Sequence, residues 1–192
     1  NRLASMSPGV PWFLNVVAVS SVSRTMVSDC DASVGLTVNA DDGTNVDAGG
    51  NVNWDFTPQL ILILPGETFT PGVSPGKTGI PEISTAGVAI SVSVQAVSSR
   101  FEPVTTAIAT VTLISDDGGA TIDSPHPLVQ GTTIFTILPR TAEPSPRATL
   151  LTASSSFATS TATLAVNPNS LVRLQVLVAG ESASPGSASG KS

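Results

Sequence analysis

The chain has 192 residues, 41% hydrophobic and only 11% charged, with a formal net charge of −6. Its eight basic residues never cluster, so it lacks the patch or arm that displaces counterions from phosphates, and nucleic acid is not an expected partner. The longest unbroken apolar run, Leu60–Leu64, falls far short of the roughly 20 residues a membrane span needs.

Residues 1–11 carry Pro8, Gly9 and Pro11 and read as an irregular arm. Phe13–Val22 is a long apolar strand candidate. Val34, Leu36 and Val38 then alternate with Gly35, Thr37 and Asn39 up to the turn Asp41-Asp42-Gly43. The loop from Asp41 to Gly50 is crowded with Asp, Asn and Gly, residues that accept tight-turn geometry. Val52, Trp54 and Phe56 alternate with Asn51, Asn53 and Asp55, predicting a strand with its aromatic side in a core.

Leu60–Leu64 is apolar at every position and fits a strand covered on both faces. Pro65 to Pro81 is dense in proline and glycine and predicts a long loop, a place where contacts with partners concentrate. Val88–Ala96 alternates strictly, and Ala107–Leu113 repeats the pattern before a second acidic turn, Asp116-Asp117-Gly118. Thr132–Leu138, Ala148–Ala153, Thr161–Val166 and Leu171–Val178 complete the strands, and no window reads as an amphipathic helix. The run Val34–Gly43 echoes Ala109–Gly118 in its alternation and terminal Asp-Asp-Gly, a likeness that recurrent strand-then-turn patterning also explains. Residues 181–192 have linker composition and stay ordered only when something grips them, a neighbouring subunit being the simplest grip.

Roughly nine or ten short strands without helices predict an all-β chain, an antiparallel β-sandwich. A jelly-roll-like single sandwich over residues 12–180, between an arm at 1–11 and a tail at 181–192, accounts for the length. Two tandem immunoglobulin-like sandwiches are the alternative.

Chemistry has little to work with. There is one histidine, one cysteine and no tyrosine. His126 sits between Pro125 and Pro127, where Ser124 and Asp123 are poor partners for a triad that normally meets across a fold. Cys30 reads as an inert buried thiol, and one His with one Cys cannot make a tetrahedral zinc site. Asp41, Asp42, Asn45 and Asp47 are the candidate metal ligands, with calcium as the ion, because it accepts six to eight oxygens. Their spacing is not that of an EF-hand, and the same residues are plain turn formers. Of the two tryptophans, Trp12 is the one expected at the surface; Trp54 and Phe56 are expected in the core.

The expectation is therefore a non-enzymatic structural protein without a required cofactor or small-molecule substrate. Sparse charge, against about 25% in ordinary soluble domains, points to a surface covered by copies of itself or by other coat or surface proteins. A capsid subunit of a virion is one form of that expectation. An extracellular bacterial or archaeal surface or filament subunit is the other.

Overall fold

The computed structural model describes residues 1–143, 146–157, 159–170, 175–184 and 189–192. The chain is all-β, and its centre is an antiparallel sandwich. That sandwich begins at Gln59, later than the sequence pattern placed it. Everything before it is built from parallel pairs.

Residues 2–55 carry eight two-residue strands: β1 (Arg2–Leu3), β2 (Trp12–Phe13), β3 (Ser20–Ser21), β4 (Met26–Val27), β5 (Cys30–Asp31), β6 (Val38–Asn39), β7 (Val46–Asp47) and β8 (Trp54–Asp55). Arg2 stands beside Met26 and Met26 beside Val46; Trp12 stands beside Cys30; Ser20 stands beside Val38 and Val38 beside Trp54, all in parallel. Asp31 pairs with Val52 in the same sense. Each circuit of about 20 residues thus lays three short strands on the previous circuit, which is a parallel β-solenoid of three coils.

Small residues make this possible. Val27, Cys30, Ala32, Val38 and Ala40 are buried inside the coils, and Val16 lies at the edge of that core. Corner backbone turning between such short strands cannot pair with itself, so side chains satisfy it. Asn45 donates to the carbonyls of Val22 (2.8 Å) and Ala40 (3.0 Å), Asn51 to Val27 (2.8 Å), and Asn53 to Ala32 (2.9 Å) and Gly35 (3.1 Å). The Asn51 carbonyl oxygen also accepts the Cys30 amide at 3.1 Å. Replacing Asn51 with alanine removes both bonds, so exchange of the Cys30 amide should rise about tenfold or more while that of Val92 stays unchanged. Equal rates in the two proteins would refute the asparagine's role.

The sandwich contains β9 (Gln59–Ile63), β10 (Glu67–Phe69), β11 (Lys77–Gly79), β12 (Ser84–Thr85), β13 (Ile90–Val97), β14 (Thr110–Ser115), β15 (Thr121–Ile122), β16 (His126–Pro127), β17 (Thr132–Leu138), β18 (Arg147–Ser154) and β19 (Ser160–Asn167). One sheet runs β15-β17-β13-β9 and the other β12-β19-β18-β14-β16. Taking the six longest strands in chain order, the first, second and fourth form one sheet and the third, fifth and sixth the other. That is the partition of immunoglobulin-like sandwiches, with β12 added in parallel beside β19. Among the described residues there is one such sandwich, over residues 59–167, where a single sandwich over 12–180 was expected and a tandem pair was the alternative; residues 2–55 form the solenoid.

Strict alternation placed the core correctly. Val92 faces Phe135 across β13 and β17, and Val94 faces Leu62 across β13 and β9. These side chains meet Val111, Leu113, Leu151, Leu164 and Val166 of the opposite sheet in one buried cluster. The Leu62 amide donates to Ser160 Oγ at 3.2 Å, which draws β9 against β19 and closes that side between the sheets.

Three expectations are corrected. Phe13–Val22 is not one strand: the chain turns a solenoid corner there, and Phe13, Val17 and Val19 are exposed. Residues 65–81 are not an irregular loop but hold the hairpin β10–β11, pinned by Glu67 and Lys77 at 2.8 Å. The echo of Val34–Gly43 in Ala109–Gly118 joins a solenoid coil to an antiparallel strand, so it is no structural repeat. The strand expected over Leu171–Val178 lies partly outside the described residues. Its described part is unpaired.

Candidate functional site

The acidic loop proposed for calcium lies at the joint between solenoid and sandwich. Asp41 is buried and accepts the Ser99 amide at 2.5 Å, with the Ser99 hydroxyl at 3.3 Å. The Thr106 hydroxyl donates to the Gly43 carbonyl at 3.0 Å, a second bond across the same joint. Burial pushes the Asp41 carboxyl above its usual value, against the pull of the Ser99 donors, and the nearby Asp55 carboxylate adds to the rise.

The other three candidates have their bonds to other partners. Asp42 accepts the Thr44 amide and hydroxyl and the Asn45 amide group, closing its own turn. Asn45 points back into the coils. Asp47 accepts the Gly49 amide (2.9 Å) and the Asn51 side chain (2.6 Å) at the next corner. Asp42 and Asn45 are thus brought together, while Asp41 is taken up by Ser99 and Asp47 by Gly49 and Asn51. Among the described residues no group of three His, Cys, Asp or Glu side chains is arranged to hold a metal ion. The joint also holds a cleft of about 260 Å³ between Val22, Asp41 and Asp42 on one side and Ser98, Arg100 and Glu102 on the other.

The residues examined for nucleophilic chemistry are committed to structure. The Ser124 hydroxyl accepts the Leu113 amide at 2.8 Å. His126 places Nδ1 2.9 Å from the Ile134 carbonyl and stacks on Phe135, leaving Nε2 3.9 Å from Asp123. Asp123 in turn accepts the Thr136 amide at 2.5 Å. Ser124 and His126 are thus bonded to separate backbone groups, Leu113 and Ile134. Cys30 is buried, and burial raises its thiol above the ordinary value, away from the reactive thiolate. Trp12 is half-buried, its indole donating to the Ser28 carbonyl at 2.9 Å, and Trp54 stacks on Phe56 at 5.9 Å.

What the sequence did not reveal is the first coil, formed by β1, β2 and β3, each of which pairs on one side only among the described residues. Strand edges of this kind present unpaired amides and carbonyls to any further strand. Solenoids usually finish in a coil with a polar outer face. Here the first coil exposes Leu3, Met6, Val10, Phe13, Val17 and Val19. The three strands carry one charge, Arg2 on β1, and no lysine or proline.

No family model and no curated protein matches the chain. Among solved structures, a crystal structure of the S-layer protein SbsC, domains 4 and 5, resembles it with a TM-score of 0.33 and 14% identity. The likeness covers 61% of this chain and 56% of that one, and at this score it carries no argument about function.

Proposed function

We propose that the protein is a non-catalytic structural component of an extracellular surface layer or filament, joining copies of itself or other surface proteins through its first coil. The observation that carries this reading is the first coil, whose three strands each pair on one side only among the described residues and are flanked by exposed apolar side chains. Edges of this kind are a liability in a free monomer and an asset in an assembly. The sparse charge of the chain supports the same reading. So does the commitment of Ser124, His126, Asp123 and Cys30 to structural contacts. The virion-coat expectation drew on sparse charge, terminal arms and one sandwich over residues 12–180, and the solenoid of residues 2–55 favours the surface reading over it.

Light scattering with negative-stain imaging tests the proposal. Fibres or sheets are expected, and Leu3→Lys with Phe13→Lys should abolish them while leaving the melting temperature within about 3 °C of the parent, since both sites are exposed. Closed shells would return the coat reading. A monomer at every concentration would refute self-assembly.

A further inference from the structure

The tail repeats a segment of the sandwich. Residues 62–78 read LILPGETFTPGVSPGKT and residues 176–192 read VLVAGESASPGSASGKS. Laid side by side without a gap, Gly66, Glu67, Pro71, Gly72, Gly76 and Lys77 match Gly180, Glu181, Pro185, Gly186, Gly190 and Lys191. Thr68, Thr70 and Thr78 meet Ser182, Ser184 and Ser192, and Leu62, Ile63 and Leu64 meet Val176, Leu177 and Val178.

The two segments also fold alike. Glu67 pairs with Lys77 at 2.8 Å and Glu181 with Lys191 at 2.5 Å. The Glu67 carboxylate accepts the Leu64 amide (2.8 Å), as that of Glu181 accepts the Val178 amide (3.1 Å). Thr68 pairs with Thr78 as Ser182 does with Ser192, and Phe69 pairs with Lys77 as Ala183 does with Lys191. Thr70 donates to Gly76 and Ser184 to Gly190. Gly66 and Gly180 take φ of 85° and 95°, and Gly76 and Gly190 take 81° and 73°, left-handed values that side chains rarely adopt. Chance resemblance of two turns does not reproduce an ion pair, an amide cap, a register and two glycine conformations together.

One thing differs, and it is decisive. Leu62, Ile63 and Leu64 are 1%, 8% and 2% exposed, because β9 lies on β13 beneath its hairpin. Val176, Leu177 and Val178 are 75%, 42% and 60% exposed, and no strand pairs with them among the described residues. Among the described residues the second copy has the hairpin pairing and the apolar segment before it, without a sheet that buries that segment.

We infer that residues 176–192 are the first strand and hairpin of a second sandwich of the same kind, and that their partner is a sheet equivalent to β13–β17 that lacks its own first strand. An intact copy of this chain is not that partner, since its β9 already occupies the position and closes on β19 through Ser160. The protein is thus a linker of successive sandwiches, the apolar strand serving as the coupling. This conclusion does not depend on the surface-layer proposal.

Two variants of the full chain test it. In the first, residues 62–78 are replaced by the sequence of 176–192. The chimera should keep a single cooperative melting transition, lowered by roughly 10–20 °C for the smaller side chains, whereas a scrambled 176–192 in the same place should abolish it. A chimera that melts no better than the scramble overturns the inference. In the second, a further copy of residues 79–167 is appended after Ser192, and its amides are followed by hydrogen exchange. Protection of the appended β13 and β17 is expected, and Val176→Asp with Val178→Asp should remove it. Protection that survives the double substitution, or none in the parent extension, overturns the coupling role.

Discussion

Replacing Val92 with aspartate should leave no soluble folded protein. Val92 is fully buried on β13, opposite Phe135, in the one cluster that both sheets share. Its environment is aliphatic and aromatic, with no donor to receive a carboxylate. Burying an unpaired charge costs several kcal/mol even when the group neutralises itself by taking up a proton. A domain holds only about 5–15 kcal/mol in total, and the lost packing adds to the deficit. Ser91→Asp is the control, one step away on the same strand and on its solvent face. It should change stability by less than about 1 kcal/mol. The measurement is soluble yield with thermal unfolding followed by circular dichroism. A folded Val92→Asp protein would mean that the interface between the sheets is not the core.

Sequence pattern and structure agree where strands are long. Ile90–Val97, Thr132–Leu138, Arg147–Ser154 and Ser160–Asn167 each keep two faces distinct for seven or eight residues, enough for period two to declare itself. The solenoid defeats that test because its strands have two residues each, too few to show any period. Its signal lies in Asn45, Asn51 and Asn53 instead, whose partners Val22, Val27 and Ala32 are more than 20 residues back along the chain. The Asp-rich loop was legible as a run of turns, but not which donor each carboxylate would find. Asp41 reaches Ser99, a contact no local rule anticipates. The repeat of 62–78 in the tail hid behind exchanges of Thr for Ser and of Phe69 for Ala183, and Pro/Gly density had marked both stretches as loop or linker.

Backbone ladders run through the solenoid strands and the sandwich sheets, and the joint between them is fastened by Asp41–Ser99 and Gly43–Thr106. Among the described residues the first coil pairs on one side only, and Val176, Leu177 and Val178 are exposed.

Asp117 should dominate the acid sensitivity of the sandwich. It is buried at the turn after β14, where it accepts the Arg140 amide (2.8 Å), the Thr141 amide (3.0 Å), the Thr141 hydroxyl (2.7 Å) and the Gly119 amide (3.1 Å). It thereby ties the end of one sheet to the segment leaving β17 in the other. Asp117→Ala leaves these donors without an acceptor, so a loss of about 3–5 kcal/mol is expected at neutral pH. Burial by itself pushes this carboxyl up, but the four donors together outweigh it and hold the group below the usual carboxylate range. A carboxyl depressed by folding stabilises the fold above its unfolded value of about 3.9, and that stabilisation is lost as pH falls through the folded value. Asp41 has the opposite sign: its raised carboxyl favours the fold below the ordinary carboxylate range and gives that up as pH rises through the folded value. The two titrations overlap, so Asp117→Ala should be compared with its parent in an Asp41→Asn background. Denaturant unfolding from pH 7 to pH 2 should then show a gap between the two proteins that is constant above about pH 5 and narrows below about pH 4. A gap that stays level down to pH 2 would mean that Asp117 holds the turn by shape alone, with its charge playing no part.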